Sequence, residues 1–280
     1  MNTEERNMDL TDRLLAKLIE DAGGYQFSPV PDTIGEKKAA IRSLMNIRMP
    51  KEVSENLLAV QDAYLQEELA EKNVVSAFDI PTIKEAYGST NPYADKLVLL
   101  QGDITGIRIG AIVNAANSRM LGCFVPCHRC IDNAIHSAAG MQLRAECDHI
   151  MSKRRMHYGR QYTEPTGTAT LTKAYNLPCD YVIHTVGPIV YGELNEALCK
   201  ELQSCYESVL LCCMENGISS VAFCCISTGE FHFPPDAAAK IALQTVTDFL
   251  KINGDCMERI VFNVFKDSDL EIYRSLVSKA

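Results

Sequence analysis

Cys123-Phe124-Val125-Pro126-Cys127-His128-Arg129-Cys130 places three thiols and one imidazole within eight residues. Thiolate sulfur and imidazole nitrogen suit Zn2+, and this local density is rare without a metal. Neighbours Cys127 and His128 tend to point apart, so only one of them is expected to bind. Two three-ligand sets follow: Cys123, His128 and Cys130, or Cys123, Cys127 and Cys130. No fourth ligand stands nearby, and three protein ligands with an open position describe a catalytic zinc better than a structural one. A redox-sensitive thiol cluster and a structural zinc completed by a distant cysteine are the alternatives.

Three further loops hold residues that a plain core does not need. Gln101-Gly102-Asp103-Ile104-Thr105 follows an apolar run, where a carboxylate can accept from an exocyclic amine or cap a turn. Asn114-Ala115-Ala116-Asn117 sets two amides around two small residues, so a ligand can come close to groups that both donate and accept. Ser227-Thr228-Gly229-Glu230-Phe231 offers small residues and consecutive backbone N–H groups, a nest for phosphate, with an aromatic ring to lie against a sugar.

These loops need a scaffold. Apolar strand-like runs lie at Lys96–Leu100, Ala111–Val113, Gly167–Thr172, Tyr181–Val186, Val221–Ile226 and Arg259–Phe265. Helical patterns separate them at Ile131–His149, Leu194–Asn216, Asp236–Lys251 and Asp269–Lys279. Alternating strands and helices predict a central sheet covered on both faces, with the ligand site where loops leave the C-terminal strand ends. Residues 1–90 read differently, as short helices at Met8–Ala22, Ile34–Asn46 and Val53–Lys72, the last capped by Ser54. Gly88-Ser89-Thr90-Asn91-Pro92 is a polar, turn-rich joint. The expected organisation is therefore a helical N-terminal extension over 1–90 and an α/β domain over 91–280.

Composition bounds the partners. All twelve cysteines and six histidines lie between Cys123 and Cys256, and adjacent pairs such as Cys212–Cys213 and Cys224–Cys225 sit in apolar runs. That usage predicts reduced, buried thiols in a cytoplasmic protein. The net charge of −9 argues against nucleic acid as a partner, and an anionic ligand must be held by backbone N–H groups. No apolar run is long enough for a membrane helix, so no membrane partner is expected.

As a set, LVLLQGDIT, AIVNAAN, AIHSAAG (Ala134–Gly140), YVIHTVGP (Tyr181–Pro188) and ISTGEFHFP resemble the macrodomain family, which binds ADP-ribose. The resemblance spans roughly Asp95 to Ala280 and implies a three-layer α/β/α fold with a mixed central sheet. Most macrodomains carry a glycine run between NAAN and AIH; here GCFVPCHRCIDN replaces it. That replacement, with His232 at a position commonly glycine and the helical extension, is similar to the zinc-dependent branch of protein-ADP-ribose hydrolases. By this resemblance Zn2+ binds Cys123, His128 and Cys130, and Cys127 is a spare thiol. Asp103 would accept from the adenine amine, with Ile104 against the ring. Asn117 would bind the distal ribose and assist catalysis. Ser227, Thr228, Gly229 and Glu230 would hold the diphosphate, with Phe231 beside the distal ribose. His136 is expected to be a packing residue. The implied activity is removal of mono-ADP-ribose, ester-linked to Asp or Glu, from a modified protein; a non-catalytic reader of ADP-ribose is the alternative. Because the branch is often encoded beside a sirtuin-like transferase and a lipoyl-carrier protein, the resemblance suggests such a substrate.

Overall fold

Five strands run in parallel and end on one rim. The computed structural model describes residues 9–278, so Met8 and Lys279, at the outer ends of two expected helices, lie outside the described residues. The main sheet has six strands: β2 (Leu97–Gln101), β4 (Ala111–Ala115), β5 (Ala169–Lys173), β6 (Tyr181–Thr185), β7 (Ser220–Phe223) and β8 (Arg259–Val264). Their spatial order is β2-β8-β7-β4-β6-β5, parallel throughout except for β5, which pairs antiparallel with β6. The interior strands are apolar almost without interruption, as burial on both faces requires. In the register, Gln101 pairs with Val264 and Ala115 with Thr185, which aligns the C-terminal ends.

Helices cover the sheet in a three-layer α/β/α arrangement. They are α5 (Ile131–Ala139), α6 (Met141–Tyr158), α7 (Glu196–Glu215), α8 (Pro235–Asn253) and α9 (Asp267–Val277). The expected single helix Ile131–His149 is two helices. Gly140 stands at φ 97° and ψ 178°, which ends α5, and the freed N–H of Met141 donates to Gln61 Oε1 at 2.8 Å. A Cβ at position 140 would come within 2.6 Å of Gln61 Nε2, so glycine is required both for its backbone angle and for the close approach.

Ahead of the sheet, α1 (Leu10–Asp21), α2 (Ile34–Ile47) and α3 (Glu55–Glu71) form a bundle. Leu14, Leu18, Ile41, Leu44, Leu57 and Val60 make a core of their own, joined from the larger domain by Met141. Ser54 caps α3 through Leu57 N, and Thr33 and Glu36 form a capping box on α2. Two elements were missed in this stretch. A two-residue strand β1 (Val75–Ser76) pairs with β3 (Ile107–Arg108), and α4 (Ile83–Tyr87) ends at Gly88 in the left-handed conformation. Neither is long enough to display a hydrophobic period.

Burial sorts the cysteines. Cys147, Cys179, Cys205, Cys213 and Cys224 are buried, Cys127 is exposed, and the other six lie between. All twelve are free thiols. In each adjacent pair one partner faces the core and the other is part-exposed. No described helix is long and apolar enough to cross a membrane.

Candidate functional site

The loops after β2, β4, β6, β7 and β8 converge on the rim. After β2, Asp103 Oδ1 caps the short 3-10 turn Ile104–Gly106, accepting from Thr105 N at 2.9 Å and from its hydroxyl at 2.7 Å. Asp103 Oδ2 accepts from Lys72 Nζ at 2.9 Å, and that ammonium also reaches Thr105 Oγ1 at 2.6 Å. Burial alone would raise the Asp103 carboxyl, but Lys72 and Thr105 together hold it below its ordinary value. Ile104 is buried beneath it.

After β4, the carboxamide of Asn117 is engaged by the protein itself. Nδ2 donates to Gly122 O and to Asp132 Oδ2, both at 3.1 Å, and Oδ1 accepts from Arg119 N at 3.0 Å. Both Nδ2 hydrogens are engaged, whereas Oδ1 keeps a second lone pair that can accept from a sugar hydroxyl.

The Cys–His loop follows. Cys123, His128 and Cys130 place their ligand atoms within 4.8 Å of one another. Cys123 Sγ lies 3.6 Å from His128 Nδ1. Zn–S and Zn–N bonds of about 2.3 and 2.0 Å at a tetrahedral angle separate sulfur and nitrogen by about 3.5 Å, so this pair already has the spacing of a zinc site. Cys130 is the N-cap of α5, its sulfur accepting from Asn133 N at 3.4 Å. Burial pushes the Cys130 thiol up to about 12, and Cys123 beside it adds to the shift. Two sulfurs and one imidazole nitrogen at this spacing are a donor set that fits zinc. Of the two sets left open by the sequence, the one containing Cys127 is not formed. Cys127, at φ 53°, turns its thiol to Ala39 O at 3.3 Å.

The loop after β7 faces this cluster. Ser227 stands at φ 64° with its hydroxyl buried and unpartnered, and His232 at φ 56° explains why glycine suits that position. The chain folds back through His232 N to Gly229 O and Phe233 N to Ser227 O, at 3.1 and 3.0 Å. Among the described residues the N–H groups of Gly229, Glu230 and Phe231 donate to nothing. Glu230 Oε1 lies 3.7 Å from His128 Nε2, so one imidazole spans from Cys123 to the phosphate-type loop. The Phe231 carbonyl accepts from Val190 N at 2.9 Å, which ties the loop after β6 to the same rim.

Sequence reasoning missed Asp132, Lys72 and Phe265. Asp132 is buried between Asn114 and Asn117, and desolvation raises its carboxyl to about 6 against those two hydrogen bonds. Phe265 directly follows β8, where Val264 O accepts from Gly102 N at 3.0 Å, and the residue is 75% exposed. An aromatic left in solvent at the C-terminal end of an apolar strand was the available signal. A second group, His136, Cys147 and His184, also gathers metal-type atoms, but in the core. There Asn114 Nδ2 donates to His184 Nδ1 at 3.0 Å, which places the ring proton on Nε2, toward Thr172 Oγ1 at 3.0 Å. Both His184 nitrogens are thus occupied, and burial pushes this histidine down to about 3. His136 is buried at 4% exposure, its two ring nitrogens without a hydrogen-bond partner among the described residues and Nε2 3.5 Å from Asp132 Oδ1.

Fold and rim together define an α/β protein with a phosphate-type loop beside a Cys–His cluster. A family model, the Macro domain, matches residues 113–242. A protein-ADP-ribose hydrolase of Treponema medium is 44% identical over 265 residues, covering 95% of this chain and 97% of that one. Another from Staphylococcus aureus is 38% identical over 283 residues, covering 100% and 99%. The solved Trypanosoma brucei macrodomain in complex with ADP-ribose is 28% identical with a TM-score of 0.64, covering 84% of this chain and 94% of that one. The chain belongs to the macrodomain family.

Proposed function

We propose that this chain is a zinc-dependent protein-ADP-ribose hydrolase that removes mono-ADP-ribose from carboxylate side chains of a modified protein. The observation that carries the reading is the meeting of two loops on one rim: the Cys123–His128–Cys130 set and, 3.7 Å from His128, the Glu230 loop with its open N–H groups. The relatives named protein-ADP-ribose hydrolase match along nearly their whole length, which supports the same activity here. Zinc held by Cys123, His128 and Cys130 would position or activate water, or polarise an oxygen, at the distal ribose.

The chain's own residues do the rest. The N–H groups of Gly229, Glu230 and Phe231, with Ser227 and Thr228, cradle the diphosphate without a basic side chain. Asp103, kept ionised by Lys72 and Thr105, accepts from the adenine amine over Ile104. Phe265 provides a ring face for the base, and Phe231 lies beside the distal ribose. Asn117 orients the ribose hydroxyls. Glu230 stands 3.7 Å from the far side of the His128 imidazole, where a small movement would let its carboxylate accept the ring proton and orient the ligand. The division into an extension over 1–90 and a macrodomain over 91–280 belongs to this reading. So does a mono-ADP-ribosylated lipoyl-carrier protein, modified by a sirtuin-like transferase, as the substrate partner.

The test is release of free ADP-ribose from an aspartate- or glutamate-linked substrate. Turnover is expected to stop with a chelator, return with Zn2+ and fall at least 100-fold in Cys130→Ala, with ADP-ribose still bound. Binding without turnover would make the chain a reader, and metal-independent turnover would remove zinc from the mechanism.

A further inference from the structure

We propose that Arg42 and Asn46 of α2 are positioning residues for the Cys–His loop, so that the N-terminal extension sets the geometry of the metal ligands. This rests on the reading of Cys123, His128 and Cys130 as ligands.

The loop cannot hold itself. Between Cys123 and Cys130 one internal main-chain bond is made among the described residues, His128 N to Val125 O at 3.2 Å. A segment so poorly bonded loses conformational freedom when a metal orders it, and that cost weakens binding unless other groups have already ordered it. The missing partners come from α2. Arg42 Nη2 donates to His128 O at 3.2 Å. The same guanidinium donates from Nε and Nη2 to Asn133 Oδ1, at 3.1 and 2.7 Å. Asn133, so oriented, donates through Nδ2 to Val125 O at 3.0 Å and through its main chain to Cys130 Sγ at 3.4 Å. One α2 side chain therefore binds the backbone of one ligand, His128, and the side chain of the residue that donates to the sulfur of another, Cys130.

Asn46 lies four residues further along α2, on the same face. Its Oδ1 accepts from Cys127 N at 2.9 Å, and its Nδ2 donates to Ser137 Oγ on α5 at 3.0 Å. This bond holds the loop where Cys127 turns outward, its thiol reaching Ala39 O of α2. With Cys127 drawn to the extension, its neighbour His128 faces Cys123. The choice between the two ligand sets that the sequence allows is thus made by contacts with a helix 81 or more residues earlier in the chain.

The experiment measures Zn2+ affinity of the full chain by competition with a chromogenic chelator, and the thiolate-to-Co2+ absorption band of the cobalt-substituted protein. Arg42→Ala is expected to weaken Zn2+ binding ten- to a hundred-fold, roughly the range for groups that orient metal ligands, and to alter the cobalt band. Arg42→Gln, which keeps one amide donor, should lose less, and it serves if the alanine variant does not fold. Lys38→Ala is the control. It removes the ion pairs of α2 with Glu68 and Glu71 on α3, at 2.6 and 3.1 Å, and no loop contact, so Zn2+ affinity should stay within about twofold. Arg42 variants that bind Zn2+ as the unaltered chain does, or a Lys38→Ala loss as large as theirs, would overturn the inference alone. An unaltered chain that binds no Zn2+ would overturn the ligand assignment and this inference together.

Discussion

Acid should destabilise this protein through His184, and the size of the effect follows from its surroundings. The imidazole is buried on β6, accepts from Asn114 and donates to Thr172, and burial pushes it down to about 3 from an ordinary 6.5. Between those values the unfolded chain binds a proton that the folded chain refuses, so stability is full above pH 6.5 and lost as the pH falls. At pH 5.5 about ten in eleven unfolded-state imidazoles are charged, and the linkage is worth on the order of 1 kcal/mol; at pH 7.5 it has all but vanished. Asp132 works in the opposite sense. Its carboxyl, raised by burial to about 6, takes up a proton in the folded state and offsets part of that loss at pH 5.5. His136, lowered by burial and by nearby His184, adds to the acid sensitivity. A comparison isolates His184: urea unfolding of the unaltered chain and of His184→Asn, each at pH 7.5 and 5.5. A chelator in every sample keeps acid release of metal out of the difference. The variant starts less stable by about 1–3 kcal/mol, because Asn114 and Thr172 lose a partner. It should nonetheless lose roughly 1 kcal/mol less on acidification. Equal losses in the two proteins would refute the assignment of a buried, neutral His184.

Two substitutions test the rim. A Cβ at Gly187 would stand 2.0 Å from Ser227 Oγ and 2.9 Å from Ile226 Cγ2. Gly187→Ala should therefore displace the phosphate-type loop and weaken ADP-ribose binding roughly 5- to 150-fold by calorimetry, if the overpacking cost of about 1–3 kcal/mol falls on the bound geometry; affinity within twofold of the unaltered chain would refute it. Phe265→Ala should weaken binding roughly 5- to 150-fold, the equivalent of about 1–3 kcal/mol for one stacked base. Unchanged affinity would show that the ring does not meet the adenine.

The main sheet and the loops that carry chemistry were legible because they depend on local pattern. Apolar runs marked β2, β4 and β6 to β8, and NAAN and STGEF could be read in place. What escaped depends on contacts distant in sequence. The break at Gly140 is stabilised by Gln61, 80 residues away from Met141. Lys72 reaches Asp103 across 31 residues, from a helix that ends with no apparent business at the rim. Cys127 and His128 were indistinguishable as ligands because the partners that separate them lie on α2. The Asn117 amide was legible as a polar group, but its commitment to Gly122, Asp132 and Arg119 was not.

The bonds between α2 and the Cys–His loop also bear on grafting. Loops on the rim of a parallel sheet can in principle be exchanged one at a time, because the strands beneath do not depend on them. This loop is not such a cassette. It shares its hydrogen bonds with Arg42 and Asn46, and Arg144 of α6 joins the two, donating to the carbonyls of Met45, Asn46 and Arg48 and stacking 4.4 Å above Phe124. Grafting residues 123–130 alone onto another macrodomain would transfer the ligands without their support. Loop and helix are one mechanical unit, and moving the loop means moving α2 with it.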